Sequence, residues 1–210
     1  MIPFERIEEP TDFDARARQP GRRWLEQHPN AKRPRDYWGS FKGPLAIGFR
    51  HLCAYSAMFE PVGTVDHFVS WDEDRSMAYE WSNYRYASGW INSSKQNVKA
   101  DQLLDPFEVE EGWFRILLPS LQLVVDEANI PPELVDRAKF VLDRLHLRDD
   151  ERALRQRREW YRMYQEGELT LKGLRRKAPL IARAIECGAA SPPRRAPRSR
   201  PTGSEAQSEA

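Results

Sequence analysis

Hydrophobic positions follow a different rhythm in successive parts of this 210-residue chain. Over the first 43 residues they come singly, as Phe4, Phe13, Trp24, Tyr37, Trp38 and Phe41, between Pro3, Pro10, Pro20, Pro29 and Pro34. Prolines at that density remove backbone donors and interrupt a helical period. The pattern predicts an irregular arm over residues 1–43, docked by its aromatics, with at most a short helix around Arg22 to Gln27. From Pro44 the spacing of Leu45, Ile47, Phe49, Leu52, Cys53 and Met58 predicts a helix or helical turn that starts at a helix-compatible proline. The turn at Pro61-Val-Gly-Thr leads into a β-rich run, Val65-Asp-His-Phe-Val69, then a charged loop over residues 70–78 and a returning strand from Trp81 to Ala87. A helix is expected from Asn92 to about Leu104.

Beyond Asp105-Pro106, the apolar runs Trp113 to Leu118 and Leu121 to Val125 flank Pro119-Ser120 and predict a β-hairpin. Leu134, Val135, Ala138, Val141, Leu142 and Leu145 then repeat at helical spacing after Pro131-Pro132. A second helix follows Asp149-Asp150-Glu151, whose carboxylates suit a helix N-terminus. A third is capped by Thr170 and kinked or split by Pro179. After Gly188 the Ser, Pro, Ala and Arg composition has no apolar face and predicts a disordered tail. The fold class is therefore α+β. A central unit over residues 44–105 lies between the arm and a hairpin-plus-helix lobe over 106–187, and a tail occupies 188–210.

Composition changes this picture little. A hydrophobic content of 40% with seven Trp marks a globular chain despite 31% charged residues. The formal net charge of +1 gives no global case for nucleic acid. Cys53 and Cys187, far apart, suit a reducing compartment without a disulfide framework. No apolar run reaches the roughly 20 residues needed to span a bilayer. The expectation is a cytoplasmic protein with no membrane partner. The distribution of charge is more telling, because Arg152, Arg155, Arg157, Arg158, Arg162, Lys172, Arg175, Arg176, Lys177 and Arg183 face only Glu151, Glu159, Glu166 and Glu168 over residues 151–183. Such helices can track a phosphate backbone or simply form a solvated face.

Candidate chemistry concentrates between Val65 and Lys95. Adjacent strand residues point to opposite faces, so Asp66 and His67 share a site only where the strand ends or bends. If it does, the Asp66 carboxylate and the Asn92 side-chain oxygen make a small hard-oxygen site of the kind Mg²⁺ takes with water and phosphate. His67 is then placed to accept a proton.

In these residues the chain resembles the HNH, or ββα-metal, nucleases. Asp66-His67 is similar to that family's doublet of metal ligand and general base. Asn83, inside Trp81-Ser-Asn-Tyr-Arg85, is similar to the middle Asn that pins the hairpin, and Asn92 with Lys95 to the final Asn-x-x-Lys. Many relatives flank this motif with two Cys-x-x-Cys knuckles around a structural zinc. Here those positions read Cys53-Ala-Tyr-Ser56 and Ser88-Gly-Trp-Ile91, so no structural zinc is expected, and Tyr55, Trp71, Trp81, Tyr84, Tyr86 and Trp90 are expected to supply packing in its place. The resemblance covers about residues 50–100.

It implies a metal-dependent endonuclease acting on DNA, with Mg²⁺ or Mn²⁺ held by Asp66 and Asn92. His67 is implied as the base and Asn83 as its positioning residue. Arg85, Lys95, Lys99, Arg155, Arg158 and Arg162 are expected on the DNA backbone, Arg85 being equally suited to pairing with a loop carboxylate. The organisation is similar to HNH proteins of bacterial antiphage defence of the Septu and retron-associated kind, which implies a possible partner protein within a defence complex. Two other readings stay open: a catalytically inactive HNH-like module that binds nucleic acid or protein, and an interaction protein in which Asp66 and His67 are merely internal.

Overall fold

The computed structural model describes residues 1–190. The chain is mixed in secondary structure, with helices around two small antiparallel hairpins. The expected tail lies outside the described residues from 191 onward, and the last described helix runs through Gly188 to Ala190.

The arm is more helical than its prolines suggest. A π-helical turn at Asp14–Arg18 runs directly into α1, Gln19–Gln27. Pro20 lies in the first turn after the junction of the two, inside a continuous helical segment. Phe13, Ala17 and Gly21 bury one stripe of this segment. A side chain at Gly21 would collide with the Tyr79 ring, 2.3 Å from the position of its Cβ, so glycine there permits the close approach. The correction to the expected short helix has a simple cause: tertiary packing of that stripe outweighs the breaker signal.

Helix α2, Lys42–Gly48, includes Pro44 but begins two residues before it and stops at Gly48, so Leu52, Cys53 and Met58 lie buried outside the helix and Ile47 is exposed. Strand β1, Thr64–His67, pairs antiparallel with β2, Tyr84–Ala87, in the register Thr64 with Ala87, Asp66 with Arg85 and His67 with Tyr84. Between them lie 3₁₀ turns at Arg75–Tyr79 and Trp81–Asn83, so the returning strand begins later than its alternation implies. Helix α3, Gly89–Lys95, follows β2 at once. It starts before Asn92 and ends well short of Leu104, because Gln96 adopts a positive φ of 50° and stops it. Only a 3₁₀ turn at Ala100–Gln102 remains of the expected distal half.

The second hairpin, β3 at Phe114–Leu117 and β4 at Gln122–Val125, matches its two apolar runs. The helices α4 (Val135–Arg144), α5 (Glu151–Gln165), α6 (Leu171–Lys177) and α7 (Pro179–Ala190) complete the described chain. Pro179 splits α6 from α7. Buried Arg157 ties α5 to the end of α4 by donating to the carbonyl oxygens of Leu121, Leu147 and Arg148. One hydrophobic cluster runs from Met1 and Phe13 through Tyr84 and Ile91 to Leu145 and Ile181, so arm, central unit and helical lobe share a core.

Candidate active site

The β1–β2–α3 unit carries the polar residues of the central stretch but divides them: strand alternation sends Asp66 and His67 to opposite sides, each with its own partners. Asp66 is 2% exposed. Its Oδ2 accepts a hydrogen bond from the Tyr55 hydroxyl at 2.6 Å, and its Oδ1 accepts one from Lys95 Nζ at 2.9 Å. Lys95 Nζ also donates to the His67 carbonyl oxygen, which ties α3 to the end of β1. Burial, followed by the neighbouring Asp66 charge, pushes the Tyr55 hydroxyl well above its ordinary pKa, so it remains a donor.

His67 meets a different set of residues. Its Nε2 lies 2.9 Å from the Ala78 carbonyl oxygen. That partner assigns the proton to Nε2 and leaves the lone pair on Nδ1. The Tyr84 hydroxyl donates to the same carbonyl at 2.9 Å. Trp38, from the arm, stands edge-on to the imidazole with 4.6 Å between centroids, and Tyr84 does so at 5.0 Å. Burial lowers the His67 pKa below its usual value, an effect larger than the opposing Ala78 hydrogen bond. The ring is therefore neutral at pH 7.

Asn83 is buried and spans the loop between the strands. Its Oδ1 accepts from Val69 N–H at 2.7 Å, and its Nδ2 donates to the carbonyl oxygens of Val69 and Met77, both at 3.0 Å. It thereby fixes the chain that leaves β1 against the 3₁₀ turn carrying Ala78, the carbonyl that orients His67. Asn92 is half-buried, and its Nδ2 donates to Thr64 Oγ1 at 3.2 Å and to the Val65 carbonyl oxygen at 3.4 Å. Its Oδ1 is the hard donor left over. The positions corresponding to zinc knuckles also meet: Ser88 N–H points at Cys53 Sγ, 3.4 Å away, although the two are far apart in sequence.

Several expected DNA contacts are placed elsewhere. Of the two readings of Arg85, the structure takes the ion pair. Arg85 is 2% exposed and grips Asp105 bidentately at 2.8 and 2.6 Å, between the rings of Phe68 and Phe107. Lys95 is equally buried against Asp66. As described, neither Arg85 nor Lys95 is open to a phosphate, because each neutralises a buried carboxylate. Lys99 is exposed. On α5, Arg158 faces Glu151 at 3.3 Å, with Arg155 more loosely beside the same carboxylate, while Arg162 lies among Glu159, Glu166 and Glu168. That face is exposed and largely self-compensated.

The chain was compared with family models, curated proteins and solved structures. It matches none of them.

Sequence reasoning had weighed Tyr55 as packing alone, and it did not anticipate Asp105, Trp38 or the Ala78 carbonyl. Tyr55 sat in plain view within the knuckle-like Cys53-Ala-Tyr-Ser56, but an aromatic there signals packing before it signals a hydrogen bond to a carboxylate. Asp105 and Trp38 carry no local pattern. Only the fold brings them to Arg85 and His67.

Proposed function

We propose that the chain is an HNH-like nuclease that hydrolyses phosphodiester bonds in DNA, in a bacterial defence or mobile-element setting. The observation that carries this reading is order. Asp66 and His67 on β1, Asn83 just before β2 and Asn92 on α3 follow one another on a strand–strand–helix unit in the order that family uses, with Asp66 and His67 on opposite faces of β1. Asn83 pins the interstrand loop, and the imidazole is held by a carbonyl at one nitrogen with a lone pair at the other.

Asp66 and Asn92 would hold Mg²⁺ or Mn²⁺. A carboxylate offers about four lone-pair positions, so Asp66 has capacity beyond its two hydrogen bonds, and the Asn92 carboxamide adds a second hard oxygen. When bound, the ion supplies Lewis acidity at a phosphate oxygen. Among the described residues no group of three or more His, Cys, Asp or Glu is placed to hold a metal ion. His67 acts as base through Nδ1, and its lowered pKa keeps that nitrogen unprotonated at neutral pH. Asn83 and the Ala78 carbonyl hold the ring's orientation. Lys95 and Tyr55 hold the carboxylate's.

One observation favours a second reading. The Lys95 ammonium already balances Asp66 in a buried pair, as suits a catalytically inactive HNH-like module. Nicking of supercoiled plasmid in Mg²⁺ or Mn²⁺ separates the two. The nuclease reading expects cutting by wild type and a loss of about 10²–10⁴-fold in His67→Ala, the usual range for general base catalysis. Equal cutting by both proteins sinks the assignment of His67. Failure of wild type to cut under any divalent ion selects the inactive module.

A further inference from the structure

A second basic site lies away from the residues just described. The segment after α2 and the α6–α7 junction enclose a cavity of about 440 Å³ lined by Arg50, His51, Phe59, Arg175, Arg176 and Lys177, together with Leu52 and Pro179. None of its lining residues is Asp66, His67 or Asn92. The volume lies within the roughly 300–1,000 Å³ typical of small-ligand sites. Among the described residues no carboxylate lines the wall.

The cations there are poorly neutralised. Arg175 pairs with Glu186 at 2.6 Å on the outside. Arg50 stacks over Phe4 and donates to the Pro3 carbonyl oxygen at 3.3 Å, and among the described residues no carboxylate pairs with it. Lys177 places its Nζ 3.1 Å from the Phe59 ring centroid, again without a carboxylate, and burial followed by the charge of Arg176 lowers its pKa. Arg176 itself is exposed.

A helix C-terminus favours basic side chains, which accounts for Arg175, Arg176 and Lys177 in the last turn of α6. It does not account for Arg50 and His51, which arrive from another part of the chain. Those two residues are consecutive, and both have a φ of 55°, a left-handed conformation that non-glycine residues adopt at a cost. The backbone there is held by paired contacts: Glu60 N–H donates to the His51 carbonyl oxygen at 2.9 Å, and Phe59 N–H to the Lys177 carbonyl oxygen at 2.7 Å. The second of these bonds locks one cationic wall to the other. The construction is concave and positive.

We propose that this cavity binds a phosphate group of a nucleotide, carried either by a free nucleotide or by a nucleic-acid strand. Arg50 from the segment after α2, and Arg176 and Lys177 from the end of α6, contact it. Arginine's planar fork suits phosphate oxygens. The inference does not depend on the nuclease reading, since it involves neither His67 nor a metal ion.

The test uses the full chain in EDTA, so that cutting plays no part. Binding of ATP, of pyrophosphate and of a fluorescent 20-nucleotide single strand, with and without a 5′ phosphate, is measured at 50 mM salt for wild type, Arg50→Glu, Arg176→Glu and Lys139→Glu. Lys139→Glu is the control, a cation on α4 already paired with Glu127 and outside the cavity. The expected result is tenfold or greater weakening of at least one probe by both Arg50→Glu and Arg176→Glu, with Lys139→Glu near wild type. A preference for ATP or pyrophosphate identifies a free nucleotide as the source, and a preference for the strand identifies nucleic acid. A change in the strand's salt slope of about 0.7 per lost phosphate contact provides a second readout. Failure of every probe to bind wild type, or equal binding by all four proteins, overturns the proposal. Unchanged melting curves for the two exposed substitutions keep the comparison free of unfolding.

Discussion

Lys95→Met removes the ammonium that balances Asp66 while keeping the length and apolar stem of the side chain. Both partners are almost fully buried, at 1% and 2% side-chain exposure, and the same nitrogen also serves the His67 carbonyl oxygen. Removing one member of a buried pair leaves an uncompensated charge, at a cost of about 3–5 kcal/mol. That is a large part of the roughly 5–15 kcal/mol by which domains are stable. With about 2–4 °C lost per kcal/mol for a chain of this size, the melting temperature should fall by about 6–20 °C. Urea denaturation followed by tryptophan fluorescence measures the loss directly. The partner experiment is Asp66→Asn combined with Lys95→Met, which removes both charges and should be less destabilised than Lys95→Met alone. Two outcomes refute the reasoning: Lys95→Met within about 1 kcal/mol of wild type, or single-substitution costs that simply add. Either would mean that solvent reaches the pair and that Asp66 is freer to take a metal than its burial implies.

Other predictions rest on different contacts. Because burial depresses the His67 pKa, the unfolded chain binds a proton there more readily than the folded one. The associated stability is complete above the unfolded value near 6.5 and is lost as pH falls toward the lower folded value. Denaturation midpoints between pH 7.5 and 5 should therefore slope less in His67→Gln than in wild type, and identical slopes would remove the burial argument. Asn83→Ala strands Val69 N–H and two carbonyl oxygens inside the interstrand loop, at an expected cost of about 2–4 kcal/mol by chemical denaturation. A loss below about 0.5 kcal/mol would show that water replaces the side chain there.

Much of the architecture was legible from local chemistry. The hairpin at Phe114–Val125, the amphipathic helices α4 and α5, and the division of α6 from α7 at Pro179 follow from apolar spacing and from proline's missing donor. The strand–loop–strand–helix order between Thr64 and Lys95 was equally readable, although Asn83, expected inside the returning strand, lies in the 3₁₀ turn just before it. The arm was misread because a breaker count weighs each proline alone, whereas Phe13, Ala17 and Gly21 are stabilised by distant Trp81, Tyr84 and Tyr79. The extent of α3 was misread because nothing local announces the positive φ of Gln96.

The Asp66-His67 doublet divides along the same line. Residue types and spacing alone determined that Val65 to Lys95 would carry the concentrated polar chemistry and that Asn92 would lie on the following helix; the bracing role of Asn83 was implied by the family resemblance. Which charges face one another was decided by the tertiary structure. Arg85 closes on Asp105, Lys95 on Asp66, and Arg50 gathers with Arg176 and Lys177 from another part of the chain. The physical reason is that a lone charge is costly to bury, so each buried ionic side chain takes whichever partner folding brings within about 3 Å, and that choice depends on chain crossings rather than on neighbours in sequence.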